Sequence, residues 1–453
     1  MVTRVSSVMA IAMMLTFAPI ARANPLDSFG YGSRSAALGG AVTADVEDVS
    51  ANYYNPAGLV RGERLRLEIG YMRALHALAV DGRDNDVDPL GGILGGVVAP
   101  GRAGPIRFAL GIGLHLNDER ISRTRSLPQN QPRWELYDNR THRIFLAAHL
   151  AIQPFRWLSI GGGISFMAAT RGSVAIGGDV SLLMPDDETY LRHRVDSDLT
   201  SVRYPQLGLQ ITPDEHWSFG LAYRGEFQLR LELEATLEGE IIAGRADNPD
   251  ATRIPGYFHL ISDSVNAFLP QQIALGVAWR PVPRVRVGVD VTWIDWSAYR
   301  NPTALTEVEL RIDVPPGFPG IEVPAGVRGT TPIPPRFVDR LVPRVGVEVR
   351  AICLRHVALD VRGGYVFEAS PAPDQTGDTN FMDADRHVLS LGLGLLLRRP
   401  ARWLGADIAI DVHVQHILFD ERLVRKTSPI DAIGDYRIDG SIWSFGGTTG
   451  LVF

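Results

Sequence analysis

The sequence predicts an all-β protein, an antiparallel transmembrane β-barrel of about fourteen strands. This fold class is indicated by a two-residue alternation of apolar and polar side chains, a leader-like N-terminus, and a regular order of short and long connections. A soluble β-sandwich also explains the alternation. A Greek-key sandwich, however, does not produce this order of connections.

The alternation is clearest in the segment Arg284–Trp293. Four valines and Trp293 fall on one face of this segment, and Arg286 and Asp290 fall on the other. A period of two indicates a β-strand with one apolar and one polar face. The polar face meets water in a soluble sandwich, whereas in a membrane barrel it lines the lumen.

Segments with this character recur along the chain and define the predicted strands. An even number of them suits a closed bacterial barrel. The predicted strands are 64–75, 92–100, 106–117, 142–153, 157–172, 201–212, 216–237, 271–281, 285–296, 342–350, 356–367, 386–397, 407–419 and 441–453.

The connections between these strands alternate in length. Short connections carry turn residues and lie at 100–104, 153–155, 212–216, 281–284, 351–355 and, somewhat longer, 398–406. The long connections are 76–91, 118–141, 173–200, 238–270, 297–341, 368–385 and 420–440. Short periplasmic turns and long outside loops are typical of an outer-membrane barrel. We therefore expect the valines of 285–291 to face lipid, Arg286 and Asp290 to face the lumen, and both mature termini to be periplasmic.

Residues 1–23 have the features of a secretory signal peptide. Arg4 precedes an apolar run from Val8 to Ala18, and Ala21-Arg22-Ala23 matches a cleavage site. The mature chain would then begin at Asn24. No later apolar run is long enough for a membrane-spanning helix, which argues against a helical inner-membrane protein.

Composition and motifs exclude several classes of function. The formal charge of −6 argues against a nucleic-acid-binding surface, and the single cysteine, Cys353, cannot form an intramolecular disulfide. The sequence contains no G-x-S-x-G, Walker or H-E-x-x-H motif. His413 and His416 face opposite sides of a predicted strand and so cannot share a metal ion. We expect no enzyme activity, no cofactor and no metal site.

Residues 24–62 precede the first strand and are rich in Gly, Ala and Ser. In a barrel with periplasmic termini, this segment either hangs in the periplasm or folds into the lumen. A fourteen-stranded barrel is wide enough that something should fill or line it.

The run GSRSAALGGAV…DVSANYYNPAGL resembles the N-terminal hatch of the FadL/TodX family of outer-membrane transporters for long-chain fatty acids and hydrocarbons. Its Asn-Pro-Ala motif is matched by Asn55, Pro56 and Ala57, followed by Gly58. The resemblance continues through segments 217–227, 269–281, 289–299, 358–374 and 383–394. It implies a hatch over 24–62, with Asn55–Gly58 in gating, and a barrel over 63–453.

The resemblance also implies a route for the cargo. A fatty acid or other hydrophobic molecule, including outer-membrane lipid and detergent-like ligands, is captured by outside loops. It passes a rearranged hatch and leaves sideways through a kink in the third strand. Gly111 and Gly113 of the third predicted strand are the candidate kink. The alternative is that these small residues make room for the hatch.

The outside loops offer candidate capture surfaces. Residues 254–270 could form an amphipathic helix with Phe258, Ile261, Val265 and Phe268 on one side. This apolar face would either bind a hydrophobic ligand or pack against another loop. Segment 182–198 would form another wall, and the proline-rich loop 297–341 would be a rigid lid.

Three further residues receive roles. Arg224 and Arg286 face inward, and the resemblance implies that basic side chains meet a carboxylate headgroup. Phe453 ends a final alternating strand, which resembles the signal read by the barrel-assembly machinery of the outer membrane. Two alternatives stay open: an outer-membrane barrel enzyme acting on lipids, which would need a Ser–His pair at the lipid boundary, and a non-specific porin, which would lack a hatch.

Overall fold

The computed structural model describes residues 26–118, 127–138, 144–181, 190–243, 250, 252–312, 329–400, 403–429 and 431–453. The predicted signal peptide, 1–23, lies outside these residues. Across the described part of the chain, no helix has both the length and the apolar character needed to cross a membrane.

Fourteen strands form one closed antiparallel barrel, which confirms the predicted fold class. Strands are numbered β1 to β18 in chain order, and the barrel closes where Arg66 of the first pairs with Val452 of the last. The barrel strands are β1 Arg66–Val80, β3 Leu90–Ala103, β4 Ile106–Asn117, β5 Phe145–Phe155, β6 Leu158–Ser181, β7 Tyr190–Ile211, β8 Trp217–Arg224, β11 Gln272–Val282, β12 Val285–Ile294, β14 Arg340–Cys353, β15 Val357–Glu368, β16 Arg386–Leu397, β17 Asp407–Val424 and β18 Tyr436–Val452.

The polar faces of the strands point into the barrel, as the alternation predicts. On β12, Arg286 and Asp290 are only 4% and 2% exposed, while Val289 on the opposite face is 50% exposed. An aqueous or plugged lumen can satisfy such polar groups with ion pairs, whereas an apolar bilayer cannot.

Four further strands lie outside the barrel: β2 Arg83–Asp84, β9 Phe227–Ala243, β10 Thr252–Leu269 and β13 Leu305–Ile312. The predicted strand 216–237 is therefore wrong as a single element. It breaks after Arg224, where Gly225 N donates to Pro205 O at 2.9 Å. Beyond the break, β9 runs parallel to the end of β6 and pairs with β10, so this part of the predicted strand is not a strand of the barrel wall.

The predicted amphipathic helix over 254–270 is also wrong, because this segment is strand β10. Its backbone groups pair with β9 on one side and β13 on the other, which satisfies them without a helix. Phe258 and Ile261 consequently lie on opposite faces, Val265 precedes a bulge, and Phe268 is buried against Tyr299 with ring centroids 5.6 Å apart. The four side chains form no common apolar stripe.

Two other loop predictions are tested only in part. Within 182–198 the described residues, from Tyr190 onward, form the start of β7. The loop 297–341 contains β13, and its residues 313–328, which include PPGFPG, lie outside the described part of the chain.

Residues 26–60, here called the N-terminal segment, lie inside the barrel. They contain short helices at Leu26–Phe29, Ser33–Ala37 and Ala51–Tyr54 and a 3₁₀ helix at Pro56–Val60. The side chains of Leu38, Val42 and Leu59 are fully buried. Contacts with the inward faces of strands on opposite sides of the barrel place the segment across the bore.

Candidate functional site

Glycines of the barrel wall allow the N-terminal segment to approach closely. A Cβ atom at Gly208 of β7 would overlap Asn55 Oδ1, and one at Gly161 of β6 would overlap the backbone of Pro56. On the other side of the barrel, a Cβ atom at Gly346 of β14 would meet Leu38 O at 2.5 Å. Only glycine permits these approaches, because any side chain would push the segment away.

The residues Asn55–Gly58 anchor the segment to this wall. Asn55 Nδ2 donates to Thr43 O at 2.7 Å and to Leu209 O of β7 at 3.0 Å. Asn55 Oδ1 accepts a hydrogen bond from Ala57 N at 3.1 Å and so caps the 3₁₀ helix, which Pro56 begins. A Cβ atom at Gly58 would overlap Val46 O. The structure thus brings the four predicted residues together, while their part in gating stays a prediction.

Ion pairs hold the opposite side of the segment. Arg286 of β12 forms a two-pronged pair with Asp45, its Nη2 atom lying 2.6 Å from Oδ1 and its Nε atom 2.9 Å from Oδ2. Arg34 pairs in the same way with Glu348 of β14, at 3.0 and 3.1 Å. Arg286 is therefore inward-facing as predicted, but its contacts are with the segment.

Below the segment, towards the short turns, lies a charged space called here the inner vestibule. Its empty volume is about 1080 Å³. Its lining includes seven arginines and six carboxylates: Arg34, Arg66, Arg280, Arg284, Arg286, Arg350, Arg362, Glu47, Asp48, Glu68, Glu348, Asp360 and Asp411. An apolar molecule would gain little by entering it.

Above the segment, towards the long connections, lies the outer cavity. Residues of the segment, among them Phe29, Tyr53 and Tyr54, line one side of this cavity, and residues near the ends of barrel strands and Trp296 line the other. The apolar wall residues include Ile294, Trp296, Val366 and Val388, and the charged ones are Asp27, Arg224, Arg344, Glu368 and Arg386.

The charged residues of the outer cavity differ in their partners. Arg224 donates to Gln272 Oε1 at 2.6 Å and lies over the ring of Tyr53, 4.2 Å from its centroid. Arg386 forms an ion pair with Glu368 at 2.6 Å. Arg344 makes no hydrogen bond or ion pair with any described residue. Of the two predicted basic residues, Arg224 lines this cavity, and the sequence reasoning missed Arg344 and Arg386.

An aromatic cluster adjoins the outer cavity through Trp296 and Arg386. Tyr299 stacks on Phe337 with ring centroids 4.4 Å apart, and Trp296 packs against both. Further members are Trp134, Tyr137, Phe268, Phe381 and Phe419, all at most 7% exposed. Most of these residues come from separate connections, so no local pattern in the sequence predicts that they meet.

The family model described as outer membrane protein transport protein (OMPP1/FadL/TodX) matches residues 141–446. The chain belongs to this family. Alkane uptake protein A of Marinobacter nauticus is 24% identical over 438 residues, which cover 90% of this chain and 86% of that protein. The resemblance predicted from the sequence is confirmed.

Solved structures share the fold. A Pseudomonas aeruginosa FadL homologue has a TM-score of 0.55 at 15% identity, covering 96% of this chain and 99% of its own. The Pseudomonas putida toluene transporter TodX has a TM-score of 0.55 at 16% identity, covering 94% and 99%. The protein is an outer-membrane β-barrel of a Gram-negative family of channels for hydrophobic molecules, and this family consists of transporters rather than enzymes.

The FadL/TodX resemblance predicts a kink in the third barrel strand, which is β4. Residues 106–117 pair with β3, and residues 107–115 pair with β5, without a register shift. A Cβ atom at Gly111 would lie 2.5 Å from Asn52 Oδ1, and one at Gly113 would lie 3.0 Å from Tyr31 Oη. In this conformation both glycines make room for the N-terminal segment, and their part in a side opening stays a prediction.

The other residues singled out in the sequence have the following positions in the structure. His413 faces the barrel interior, while His416 stacks on Trp443 with ring centroids 3.9 Å apart. Among the described residues, no group of three or more His, Cys, Asp or Glu side chains is arranged to hold a metal ion. Cys353 is exposed at the end of β14. Phe453 is 43% exposed, and its backbone N donates to Leu65 O at 2.9 Å. Its role in assembly is untested.

Proposed function

We propose that this protein passively imports hydrophobic small molecules across the outer membrane and releases them sideways into the bilayer. The observation that carries the proposal is the division of the barrel by the N-terminal segment. On one side lies the outer cavity, whose wall combines aromatic and apolar side chains with five charged ones, and on the other lies the inner vestibule with its thirteen charged side chains.

This division favours a sideways exit. Burial of an apolar chain is worth about 0.8 kcal/mol per CH₂ group, so a long chain would lose many kcal/mol on entering a charged, hydrated vestibule. Release through the barrel wall keeps the chain in apolar surroundings. The segment must rearrange first, because it fills the bore at Gly111 and Gly113, the candidate exit.

We infer that capture involves the outside loops and that hydrocarbons are the first cargo to test. The relative from Marinobacter nauticus is named for alkane uptake, and TodX for toluene transport. Phe258, Ile261, Val265 and Phe268 remain candidate capture residues, now as members of β10 rather than of a helix.

Long-chain fatty acids are the second candidate cargo, and Arg344 favours them. It is a cavity-lining guanidinium without a described partner, and a carboxylate is a natural partner for such a group. The aromatic and aliphatic side chains of the wall would contact the hydrocarbon chain of either cargo, so the presence or absence of a carboxylate distinguishes the two.

Uptake tests the proposal. Cells that lack their own importer would express the protein and receive labelled hexadecane or labelled oleate, with surface-exposed folded barrel measured in parallel. We expect uptake above the empty-vector control, reduced in Pro56→Ala and unchanged in Pro105→Ala, which alters an exposed proline in the short turn before β4. Folded barrel without uptake of either compound would refute transport of this cargo class.

A further inference from the structure

Three short turns lie side by side at the vestibule end of the barrel. Their described residues are 283–284, 354–356, 398–400 and 403–406, and they are adjacent because their strands pair in the order β12, β14, β15 and β16. Arg350 N donates to Arg284 O at 2.8 Å, and Arg398 N donates to His356 O at 2.9 Å. Arg398 Nη1 also donates to Leu354 O at 2.8 Å. These bonds make one continuous rim, called here the basic edge.

The basic edge is positively charged and largely unpaired. Arg284, Arg355 and Arg399 are exposed, and none lies within ion-pair distance of an acidic side chain among the described residues. The turn sequences PVPR, LRH and RRPARWLG contain no Asp or Glu. The turn at 212–216, by contrast, carries Asp214 and Glu215, and the turns at 100–105 and 153–157 have a single exposed arginine each, Arg102 and Arg156. Positive charge is thus densest at the basic edge.

Exposed apolar side chains accompany the charge. Leu354 is 63% exposed and Trp403 is 85% exposed. They continue the apolar outer face of the barrel, where Val349, Val361 and Leu393 are also exposed. Tryptophan at the end of a membrane strand belongs at the level of the lipid headgroups, where its ring is apolar and its N–H can find an acceptor.

We propose that the basic edge binds the phosphate groups of anionic phospholipids in the leaflet surrounding this end of the barrel. A guanidinium presents paired N–H donors that match phosphate oxygens, and Trp403 inserts beside the acyl chains. Each basic residue near an anionic lipid surface contributes about 1 kcal/mol, which is about a fivefold change in affinity. The site lies outside the cargo route and does not depend on which cargo is carried.

Lipid counting on the full-length protein tests the proposal. Purified protein in a neutral detergent would be titrated with phosphatidylglycerol or phosphatidylcholine of identical acyl chains, and retained lipids counted by native mass spectrometry. The variant Arg284→Gln/Arg355→Gln/Arg399→Gln removes the charge and spares Arg398, which shapes the turns. The control Arg253→Gln/Arg311→Gln/Arg437→Gln removes equal charge from exposed arginines at the opposite end.

We expect the edge variant to bind phosphatidylglycerol at least tenfold more weakly than the wild type, and the control variant to match the wild type. Trp403→Ser should weaken both lipids equally. Equal binding of the two lipids by the wild type would overturn the proposal, as would unaltered binding by the edge variant. Displacement by an equal concentration of inorganic phosphate would assign the site to free phosphate instead. If the edge variant fails to fold, the salt dependence of wild-type phosphatidylglycerol binding decides, because loss of preference at high salt is required.

Discussion

The inward-facing arginines show how partners give one residue type different roles. Arg286 is committed to Asp45, and Arg386 is committed to Glu368. Arg344 has no such partner among the described residues, although it lies on the same face of its strand as Glu348, which pairs with Arg34. At this scale, alternation predicts that an arginine faces inward, but not which carboxylate neutralises it.

The substitution Arg344→Gln should therefore affect one cargo and not another. We expect oleate uptake to fall about tenfold or more, since a charge-assisted hydrogen bond is worth about 1.5–3 kcal/mol, while hexadecane uptake stays at the wild-type level. Uptake assays with both compounds check this, with Arg311→Gln on the outer sheet as the matched control. Equal loss for both compounds would show that Arg344 acts structurally.

Asp383, in the long connection before β16, predicts a pH dependence. Burial raises the pKa of its carboxyl to about 7, although Ser370 Oγ donates to Asp383 Oδ2 at 2.7 Å. Glu368 nearby raises the pKa further, and Arg422 lowers it. Between about pH 3.8 and pH 7, the Asp383 carboxyl is therefore protonated in the folded protein, whereas in the unfolded chain it has lost its proton. The loop's stability is present at low pH and declines as the pH rises towards about 7.

Limited proteolysis of the outer loops at pH 5.5 and pH 8 measures this effect. We expect faster cleavage of the wild type at pH 8 and a smaller difference between the two pH values in Asp383→Asn. Asp420→Asn, which changes an exposed carboxylate, should behave like the wild type. An Asp383→Asn protein that keeps the full pH difference would exclude Asp383 as its source.

At the scale of elements, the break between β8 and β9 explains why one strand prediction failed. The apolar and polar positions stay in phase across residues 224–227, so the alternation alone predicts one continuous strand over 216–237. The separation depends on Pro205 of the neighbouring strand β7, whose carbonyl accepts from Gly225. The period that indicated a helix over 254–270 failed for a related reason, because pairing with β9 and β13 decided the conformation.

The glycine contacts of β7 give a prediction for this element. Gly208→Leu should displace the N-terminal segment from the wall, because the new side chain would occupy the position of Asn55. We expect a barrel that still assembles but makes cells more sensitive to a large antibiotic such as vancomycin. The matched control is Gly363→Leu, since a Cβ there lies 3.8 Å from its nearest neighbour. Unchanged sensitivity with folded Gly208→Leu barrel would show that the segment is not what closes the bore.

At the scale of the whole molecule, all the short turns lie at one end of the barrel with the C-terminus. We propose that this end is periplasmic, and Cys353, the single cysteine, reports on it. A membrane-impermeant maleimide should leave Cys353 unlabelled in intact cells and label it after the outer membrane is permeabilised. A cysteine introduced at exposed Asp420, at the other end, in a Cys353→Ser background should label in intact cells. Labelling of Cys353 in intact cells would reverse the orientation.

Local periodicity was enough to predict several features. Alternation marked most of the barrel strands and their inward faces but was weak in the glycine- and alanine-rich second, fourth and fifth strands, turn residues marked the short connections, and the N-P-A run marked residues that do lie together against the wall. A strand in a membrane barrel must keep one face apolar and one polar along its length, so each segment carries its own signal.

Contacts between distant parts of the chain could be found only in the folded structure. The pairing of Arg286 with Asp45, the stacking of Tyr299 on Phe337 and the pairing of β10 with β13 all join residues far apart in sequence. Such contacts depend on where the closed barrel places its strand ends and loops. No short stretch of the sequence contains both residues of such a contact. Each contact therefore follows from the geometry of the closed barrel and not from the alternation of apolar and polar residues.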